Sequence, residues 1–433
     1  MTGRPILTAT AMRAAEQAAI EGGAKVEELM ERAGAALAEA VYRFAGPTPA
    51  LILCGPGNNG GDGKVAARYL TERGVAARIV TLSELSDETA PAPLLIDALF
   101  GTGLKRGLDA NVSEQLSRLC DAAVVTVTCD LPSGVEADSG KELSAVPAFD
   151  MTVTFGALKP AHRLHPAMHK CGRVVLADIG IAADRAWHEI GPPVLPSLDP
   201  GGHKYDRGLV HALAGTMPGA IALAAKAAAR AGAGYVRVST SKPIDGLPSA
   251  IVQLDHAPVN DERIGCLLVG PGLGDIPQVL TLALTSKAPK VIDADGITHL
   301  GEPERLKGQD AIITPHEGEF RKLFGDVPGS KPERALEAAR RSGAVVVYKG
   351  PDTLVASPDG RLGFAPRAHP WLASAGTGDV LAGLIAAMRA RDLDAFEAAC
   401  AGVWLHGRAA DIAGHQLIAD DLADAIPQAI AEL

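Results

Sequence analysis

The chain has 433 residues, of which 47% are hydrophobic and 4% aromatic, with 48 glycines and a formal net charge of −10. That length suggests two or three domains, each able to bury a core, and the acidic balance argues against nucleic acid as an electrostatic partner. No run of about 18 apolar residues occurs, so no membrane-spanning helix is expected, and Met1 to Ala9 lack the basic start and long apolar core of a secretory signal.

Two helices are expected first, Thr8 to Ile20 and Val26 to Phe44, separated by Gly22-Gly23. The second carries Val26, Leu29, Met30, Ala33, Leu37 and Val41 at helical spacing. Strands then alternate with helices: Ala50–Cys54, Ala77–Thr81, Leu94–Ala98, Ala123–Cys129, Met151–Phe155 and Arg173–Ala177. Continuous apolar runs of this kind predict a mostly parallel sheet covered on both faces, an α/β class. Ligands of such sheets sit beyond the carboxyl ends of the strands. The cysteines at 54, 120, 129, 171, 266 and 400 form no C-x-x-C pair and lie mostly in apolar runs. Buried free thiols in a reducing cytoplasm are expected rather than disulfides or zinc.

Three strand-end loops carry polar groups. The first is Gly55-Pro56-Gly57-Asn58-Asn59-Gly60-Gly61-Asp62-Gly63, ahead of a helix expected over Lys64 to Arg73. Its glycines let the backbone approach a ligand, and a helix start favours an anion. Gly55, Gly57 and Gly60 fit a dinucleotide fingerprint, but that spacing is weak evidence. Asp62 would repel a pyrophosphate there. Two amides and a carboxylate suit a sugar, an alkali cation or proton transfer better. The second loop runs from Asp97 through Gly101, Thr102, Gly103 and Leu104 to Lys105-Arg106-Gly107. Here Arg106 can meet phosphate. The third is Asp130-Leu131-Pro132-Ser133-Gly134. Asp62, Asp97 and Asp130, each after a separate strand, should converge on one crevice and point to catalysis or cation binding.

These residues resemble the epimerase domain of the NAD(P)H-hydrate repair enzymes, as do Glu28 to Gly34 and Thr154 to Pro160. The resemblance implies that Asn58, Asn59, Gly60, Gly61 and Asp62 contact a hydrated nicotinamide nucleotide. It implies that Gly101 to Gly107 hold phosphate, that Asp130 touches the substrate near C6, and that Asn59, Asp97 and Ser133 ligate potassium. Lys64 departs from the apolar residue common in that family. Epimerising a carbon that bears OH beside a ring nitrogen means breaking C–O or C–N and remaking it on the other face. A carboxyl group of tuned pKa can carry the proton. Asp130 is the first choice and Asp62 the second. Lys159 is either a charge or proton relay or a solvated surface lysine.

The Pro/Gly-rich stretch Gly191 to Gly202 reads as a connector, giving a first domain over 1–192, a linker over 193–203 and a second domain over 204–433. The second half is again α/β. Its strand-end loops hold Gly215 to Ala220, Gly270 to Gly274, Asp293-Ala294-Asp295, Thr314 to Glu319, Lys349-Gly350 and Ser374 to Asp379. In Gly376-Thr377-Gly378-Asp379, successive N–H groups at a helix start make an anion hole. Asp379 there is either an ordinary dipole-stabilised helix residue or the base of a phosphoryl transfer.

That turn resembles ribokinase-like kinases, and the other motifs narrow the resemblance to the ADP-dependent NAD(P)H-hydrate dehydratases. By resemblance, Ala220, Gly272 and His316 contact the hydrate, and Asp379 contacts it as base. Lys349, Gly350, Pro351, Asp352, Thr353 and Gly378 would bind the adenosine phosphate. Glu317 stands where that family has Pro, Ala375 where it has Gly, and Gly296 and Thr298 where Ala and Asn are frequent. Two three-layer αβα domains follow from the resemblance, one Rossmann-like and one ribokinase-like. So do potassium in the first domain, Mg2+ and ADP in the second, and a cytoplasmic homo-oligomer without membrane partners. The rival enzyme is a ribokinase-like kinase of a hydroxymethyl heterocycle with an accessory nucleotide-binding domain. The rival without catalysis is a nucleotide-sensing module.

Overall fold

The computed structural model describes residues 3–197 and 199–433. It divides into two compact units, Arg4–Trp187 and His188–Leu433, with Gly3 grouped with the latter. The division falls before the Pro/Gly-rich connector, within Trp187–Glu189, which pairs as the edge strand of the second sheet. Leu198 of that connector lies outside the described residues.

The first unit is a parallel sheet of β1 (Ala50–Cys54), β2 (Ala77–Thr81), β3 (Leu94–Ala98), β4 (Val125–Cys129), β5 (Met151–Phe155) and β6 (Arg173–Ala177). The spatial order is β2-β1-β3-β4-β5-β6. Alternate residues of each strand point to opposite faces. Ile52, Cys54, Ile96 and Val127 meet the apolar stripes of helices α1 (Ala9–Glu21), α2 (Val26–Ala45) and α3 (Asn58–Glu72). Leu51, Leu53 and Leu95 instead meet Leu116 and Leu119 of helix α4 (Ala110–Ala122). The order reverses between β1 and β3, where the chain leaves in opposite directions and opens a crevice at the carboxyl ends. The Asp62, Asp97 and Asp130 loops follow β1, β3 and β4, which are neighbours.

The second unit is built on ten strands: β7 (Trp187–Glu189), β8 (Leu209–Leu213), β9 (Tyr235–Ser239), β10 (Ile251–Leu254), β11 (Ile264–Val269), β12 (Lys290–Ile292), β13 (Ala311–Ile313), β14 (Val345–Tyr348), β15 (Leu354–Ala356) and β16 (Leu362–Phe364). Their order is β10-β9-β8-β11-β12-β13-β14-β15-β16-β7. Pairing is parallel from β10 to β14 and antiparallel through β15 and β16. One face packs on the alanine-rich helices Pro218–Arg230, Thr377–Ala390, Ala395–Ala413 and Ala419–Ala431. The small side chains let these helices sit close: a Cβ on Gly383 would lie 2.1 Å from Ala224 O. Helices Pro277–Thr285 and Lys331–Ser342 contact β11 and β14. The adjacent strands β8, β11, β12, β13 and β14 deliver the Gly215, Gly270, Asp293, His316 and Lys349 loops to one edge.

Both units are therefore α/β layers, as the alternation of apolar runs predicts. One helix start differs from expectation: helix α3 begins at Asn58, so its polar motif is a first turn and not a loop ahead of a helix, whereas the last glycine turn enters its helix at Thr377 with Asp379 in the first turn.

Candidate functional sites

The opening glycine motif is used mainly for packing. A Cβ on Gly55 would lie 1.7 Å from Leu99 O, on Gly60 1.9 Å from Gly55 O, and on Gly61 2.6 Å from Met30 Sδ. These glycines let α3 start flush against β1 and β3. Of the five glycines in the motif only Gly57 meets no described atom within 4 Å. The close-approach argument thus holds, but the approaching atoms belong to the protein.

The first helical turn then aims Asn58, Asn59 and Asp62 into a cavity of about 720 Å³. Its other polar walls are Gly101 to Arg106, Asp130, Lys159, Glu16 and Arg13, with Leu29, Met30, Phe155 and Ile181 among the apolar ones. Gly60, Gly61 and Gly107 do not line it. Asp97 and Ser133 are fully buried and also do not line it. Ser133 Oγ donates to Asp97 Oδ1 at 2.7 Å, and Ser133 N to Asp97 Oδ2 at 2.9 Å. Burial still raises the Asp97 carboxyl to about 6 against these hydrogen bonds. Asn59 is buried too, and its Nδ2 has no hydrogen-bond partner.

Lys159 is no surface lysine. It is 2% exposed, and its Nζ donates to Asp130 Oδ1 at 2.6 Å and to Thr154 Oγ1 at 2.9 Å. Thr154 Oγ1 in turn donates to Asp130 Oδ1 at 2.9 Å. Asp130 itself holds φ +63, a left-handed conformation uncommon outside glycine, and such strain clusters at functional sites. His162 Nε2 contacts its carbonyl oxygen at 2.8 Å. Burial pushes the Asp130 carboxyl up, but the charge and hydrogen bond of Lys159 outweigh it and leave the group below its ordinary range. Asp62, 8% exposed and with no hydrogen bond to its carboxyl group among the described residues, is raised to about 8 by burial and by the Asp130 charge. At neutral pH the crevice therefore holds a protonated Asp62 beside an ionised Asp130.

The second site repeats the device. Lys349 Nζ donates to Asp293 Oδ1 at 2.8 Å, and Thr314 Oγ1 to the same atom at 2.6 Å. Glu319 Oε2 lies 3.9 Å from the same Nζ. Ala294, at φ +48, turns the chain sharply between Asp293 and Asp295. Asp295 Oδ2 accepts from Gly274 N at 2.8 Å, fixing the Gly270–Gly274 loop. Asp379, in the first turn of Thr377–Ala390, is raised to about 7 by burial and by the Asp293 charge, with Lys349 opposing. A Cβ on Gly378 would stand 3.6 Å from Lys349 Nζ, so the helix start faces the lysine. The N–H groups of that first turn have no partners inside the helix.

Other expected residues distribute unevenly. Ala220 and Gly272 meet, since a Cβ on Gly272 would be 2.9 Å from Ala220 Cβ. His316 caps Glu317–Phe324: its Nδ1 accepts from Gly318 N at 2.9 Å, while its own backbone N–H donates to Glu319 Oε2 at 2.8 Å. Its side chain stays mostly exposed, with Nε2 3.5 Å from Glu319 Oε1. Asp352 does not join Lys349. Its carboxylate accepts from Lys331 Nζ at 2.5 Å, and Thr353 closes the turn by donating to Gly350 O at 2.9 Å. Glu317, where Pro is usual, stands in the favourable first turn of its helix and is held by Arg321 at 2.7 Å, Arg334 at 3.0 Å and the Tyr348 hydroxyl.

Sequence reasoning assigned no role to Glu16, Thr154, Thr314, Glu319 or Lys331. Asp293 was singled out as part of a motif without a role. The signal available for it is the Asp-Ala-Asp run at a strand end.

Comparison with known proteins gives concordant results. Residues 210–431 match a family model described as NAD(P)H-hydrate dehydratase, and residues 26–92 and 80–161 match one described as YjeF-related protein N-terminus. The bifunctional NAD(P)H-hydrate repair enzyme Nnr of Thermofilum pendens is 33% identical over 94% of this chain and 91% of its own length. That of Salinibacter ruber is 33% identical over 99% of this chain and 96% of its own. A crystal structure of the ADP/ATP-dependent NAD(P)H-hydrate dehydratase from Bacillus subtilis, co-crystallised with ATP/Mg2+, covers 55% of this chain and 94% of its own, at 30% identity and a TM-score of 0.50.

Proposed function

The chain belongs to the bifunctional NAD(P)H-hydrate repair enzymes, and we propose that its two crevices carry the two steps of that repair. The first interconverts the R and S forms of hydrated NADH and NADPH. The second uses ADP to dehydrate the S form, giving NAD(P)H, AMP and phosphate. The observation that carries the reading is the arrangement shared by the two crevices: a lysine-clamped aspartate beside a second carboxyl group raised towards neutral pH.

In the first crevice Asp62 is the acid. Protonated at neutral pH, it gives its proton to the C6 hydroxyl as C–O breaks and the ring nitrogen supplies electrons. Asp130, held anionic by Lys159 and Thr154, faces the cationic iminium that results and stabilises it. This reverses the order of preference that sequence alone suggests, because Asp130 is too firmly paired to be the proton donor. Gly101 to Arg106 hold the substrate phosphates. The donor set Asn59, Asp97 and Ser133 is all oxygen, which suits a hard monovalent cation, and the orphaned Asn59 Nδ2 supports it. Turning that amide by half a revolution exchanges its nitrogen for its oxygen. These residues would hold potassium, which would offset the buried Asp97 charge and fix both loops.

In the second crevice Asp379 takes the proton of the C6 hydroxyl as that oxygen attacks the β-phosphate of ADP. Lys349 and the first-turn N–H groups around Gly378 stabilise the charge on the transferring phosphoryl group. Phosphate then leaves with the push of the ring nitrogen, giving the N1=C6 iminium, and loss of a proton from C5 forms the C5=C6 bond of NAD(P)H. Phosphorylation is needed because hydroxide is a poor leaving group. Among the described residues no group of three His, Cys, Asp or Glu forms a metal cage. Mg2+ therefore fits as an ion carried by nucleotide phosphates and water, its usual mode, with this chain supplying at most one or two carboxylates. The heterocycle-kinase alternative is set aside by the family match of the second unit.

We assign the enzyme to the cytoplasm as a homo-oligomer. All six cysteines are free and buried, which suits a reducing compartment. No helix among the described residues is long and apolar enough to cross a membrane.

A mixture of both NADH-hydrate epimers supplied with ADP tests the reading, followed by reduced-nicotinamide absorbance. Recovery from both epimers is expected. Recovery from the S form alone would remove the epimerase, and no recovery, or a stable phosphorylated product, would remove the dehydratase.

A further inference from the structure

Inversion at a carbon has a requirement that the Asp62–Asp130 pair does not meet. An acid on one face of the ring can release water and take it back, but only onto the same face. To arrive at the other epimer, water must add from the opposite side, and a base must stand there to receive its proton. Asp130 is committed to Lys159 and Thr154. Lys159 is committed in turn to Asp130, Thr154 and the Phe155 carbonyl.

Among the described residues, one further carboxyl group in the cavity is uncommitted. Glu16 lines the same cavity as Asp62, Asp130 and Lys159 but enters it from α1, whereas Asp62 enters from α3. Its carboxylate makes no hydrogen bond or ion pair within the described residues. It is half-buried in a helix whose remaining acidic residue is the terminal Glu21. A charged side chain on a helix exterior ordinarily turns to water or pairs along the helix. Gln17, the next residue, does so, donating to Glu21 Oε1 at 2.9 Å. Glu16 instead points to a cavity that already holds two other carboxyl groups. That placement costs energy, and carboxyl groups gathered at such a cost cluster at functional sites. Electrostatics agree with the geometry: burial raises the Glu16 carboxyl above its ordinary value, Lys159 opposes the rise, the Asp130 charge adds to it, and Arg13, three residues earlier on α1 and lining the same cavity, opposes it too. Glu16 also contributes to the rise at Asp62, so the two groups share one field.

We propose that Glu16 is the second proton-transfer group of the epimerase, serving the ring face opposite the one served by Asp62. This rests on the epimerase reading above. The resting pair carries one proton. With the hydroxyl on the Asp62 face, Asp62 gives its proton to that oxygen, the C6–O bond breaks, and the ring nitrogen lone pair forms the N1=C6 iminium. Water then adds to C6 from the other face, and Glu16 takes one of its protons. The product is the other epimer, with Asp62 ionised and Glu16 protonated. That state is the correct starting point for the reverse reaction. Exchange of one proton with solvent resets the pair, so no oxidant, reductant or co-reactant is consumed.

The test uses the full chain and both purified epimers in 18O-enriched water. Inversion and exchange of the C6 oxygen are measured together, each above the uncatalysed rate. Wild type inverts both epimers, with exchange accompanying inversion. In Glu16→Gln, inversion falls at least about 100-fold, the scale of a general acid–base group. One epimer, the one whose hydroxyl faces Asp62, goes on exchanging its oxygen with retention, and the other stops exchanging. Glu16→Asp restores part of the inversion, and thermal unfolding shows that the variants remain folded. A merely structural role would depress inversion and exchange together in both epimers. That outcome, or an unchanged inversion rate, overturns the proposal. A wild-type chain that inverts neither epimer would instead overturn the epimerase reading itself, so the two failures are separable.

Discussion

The two crevices solve one electrostatic problem with unrelated sequence. In the first, Lys159 and Thr154 converge on one oxygen of Asp130; in the second, Lys349 and Thr314 converge on one oxygen of Asp293. Left-handed backbone marks both, at Asp130 itself and at Ala294 beside Asp293. Burial, with the charge of the clamped aspartate adding to it, then raises a neighbouring carboxyl group, Asp62 to about 8 and Asp379 to about 7. In the first crevice this separates the two carboxyl groups, Asp130 lowered and Asp62 raised, so that one stays charged and the other carries a proton. The difference lies in the direction of use. Asp62 must start protonated, to release a hydroxyl, whereas Asp379 must start ionised, to accept the proton of one. A value near 8 serves the first at neutral pH, and a lower one serves the second.

The comparison is broken most severely by removing the proton carriers. Asp379→Asn should lower dehydration by about 1,000-fold or more while epimerisation proceeds. Asp62→Asn should lower epimerisation by about 100- to 10,000-fold while the S form is still dehydrated. Chromatographic separation of the epimers and product absorbance read both rates. If either substitution affects both reactions alike, the sites do not divide the work.

Next in size come the clamps. Lys159→Met leaves Asp130 charged and unpaired at a buried position, which should cost about 3–5 kcal/mol of stability and abolish epimerisation. Lys349→Met acts on a less enclosed pair and should cost less stability while still removing dehydration. Denaturant titration with both activity assays checks the order. Removing one hydrogen bond to each clamped oxygen, in Thr154→Val and Thr314→Val, should lower its own reaction by about 10-fold, equivalent to roughly 1.4 kcal/mol.

The smallest expected effect concerns stability. The folded-state pKa of Asp62, about 8, lies above the unfolded value near 4, so the folded state binds the proton more tightly. Stability from this group is complete below about pH 4 and declines as pH rises towards 8. Asp62→Asn, which cannot ionise, should therefore unfold a few degrees higher than wild type at pH 9 and equally at pH 4. An Asn variant less stable at pH 9 would contradict the raised pKa.

Much of this was legible in the residues. Apolar runs ending in glycine and aspartate marked the strand ends, and strand ends place ligand loops. The carboxylates that matter, Asp62, Asp97, Asp130 and Asp379, all stood in such positions. What was not legible has physical reasons. A glycine in sequence does not say whether its missing Cβ makes room for a ligand or for Leu99 O, and in the opening motif it is mostly the latter. Lys159 could not be told from a surface lysine, because its burial depends on β4 and β5 lying side by side. The strands Trp187–Glu189, Leu354–Ala356 and Leu362–Phe364 are three residues each, too short to show a period. Glu16 carries no motif at all, and its position becomes informative only when α1 is seen to wall the Asp62 cavity.

The most direct measurement of the account follows both activities of one wild-type sample across pH 5.5 to 9.5, each at limiting substrate. Epimerisation should fall as pH rises through about 8, as Asp62 loses its proton, and dehydration should rise with pH through about 7, as Asp379 loses its own. The two profiles should thus slope in opposite directions between the two values. Profiles that rise together, or an epimerase limb that climbs through pH 8, would contradict the assignment of acid to the first crevice and base to the second.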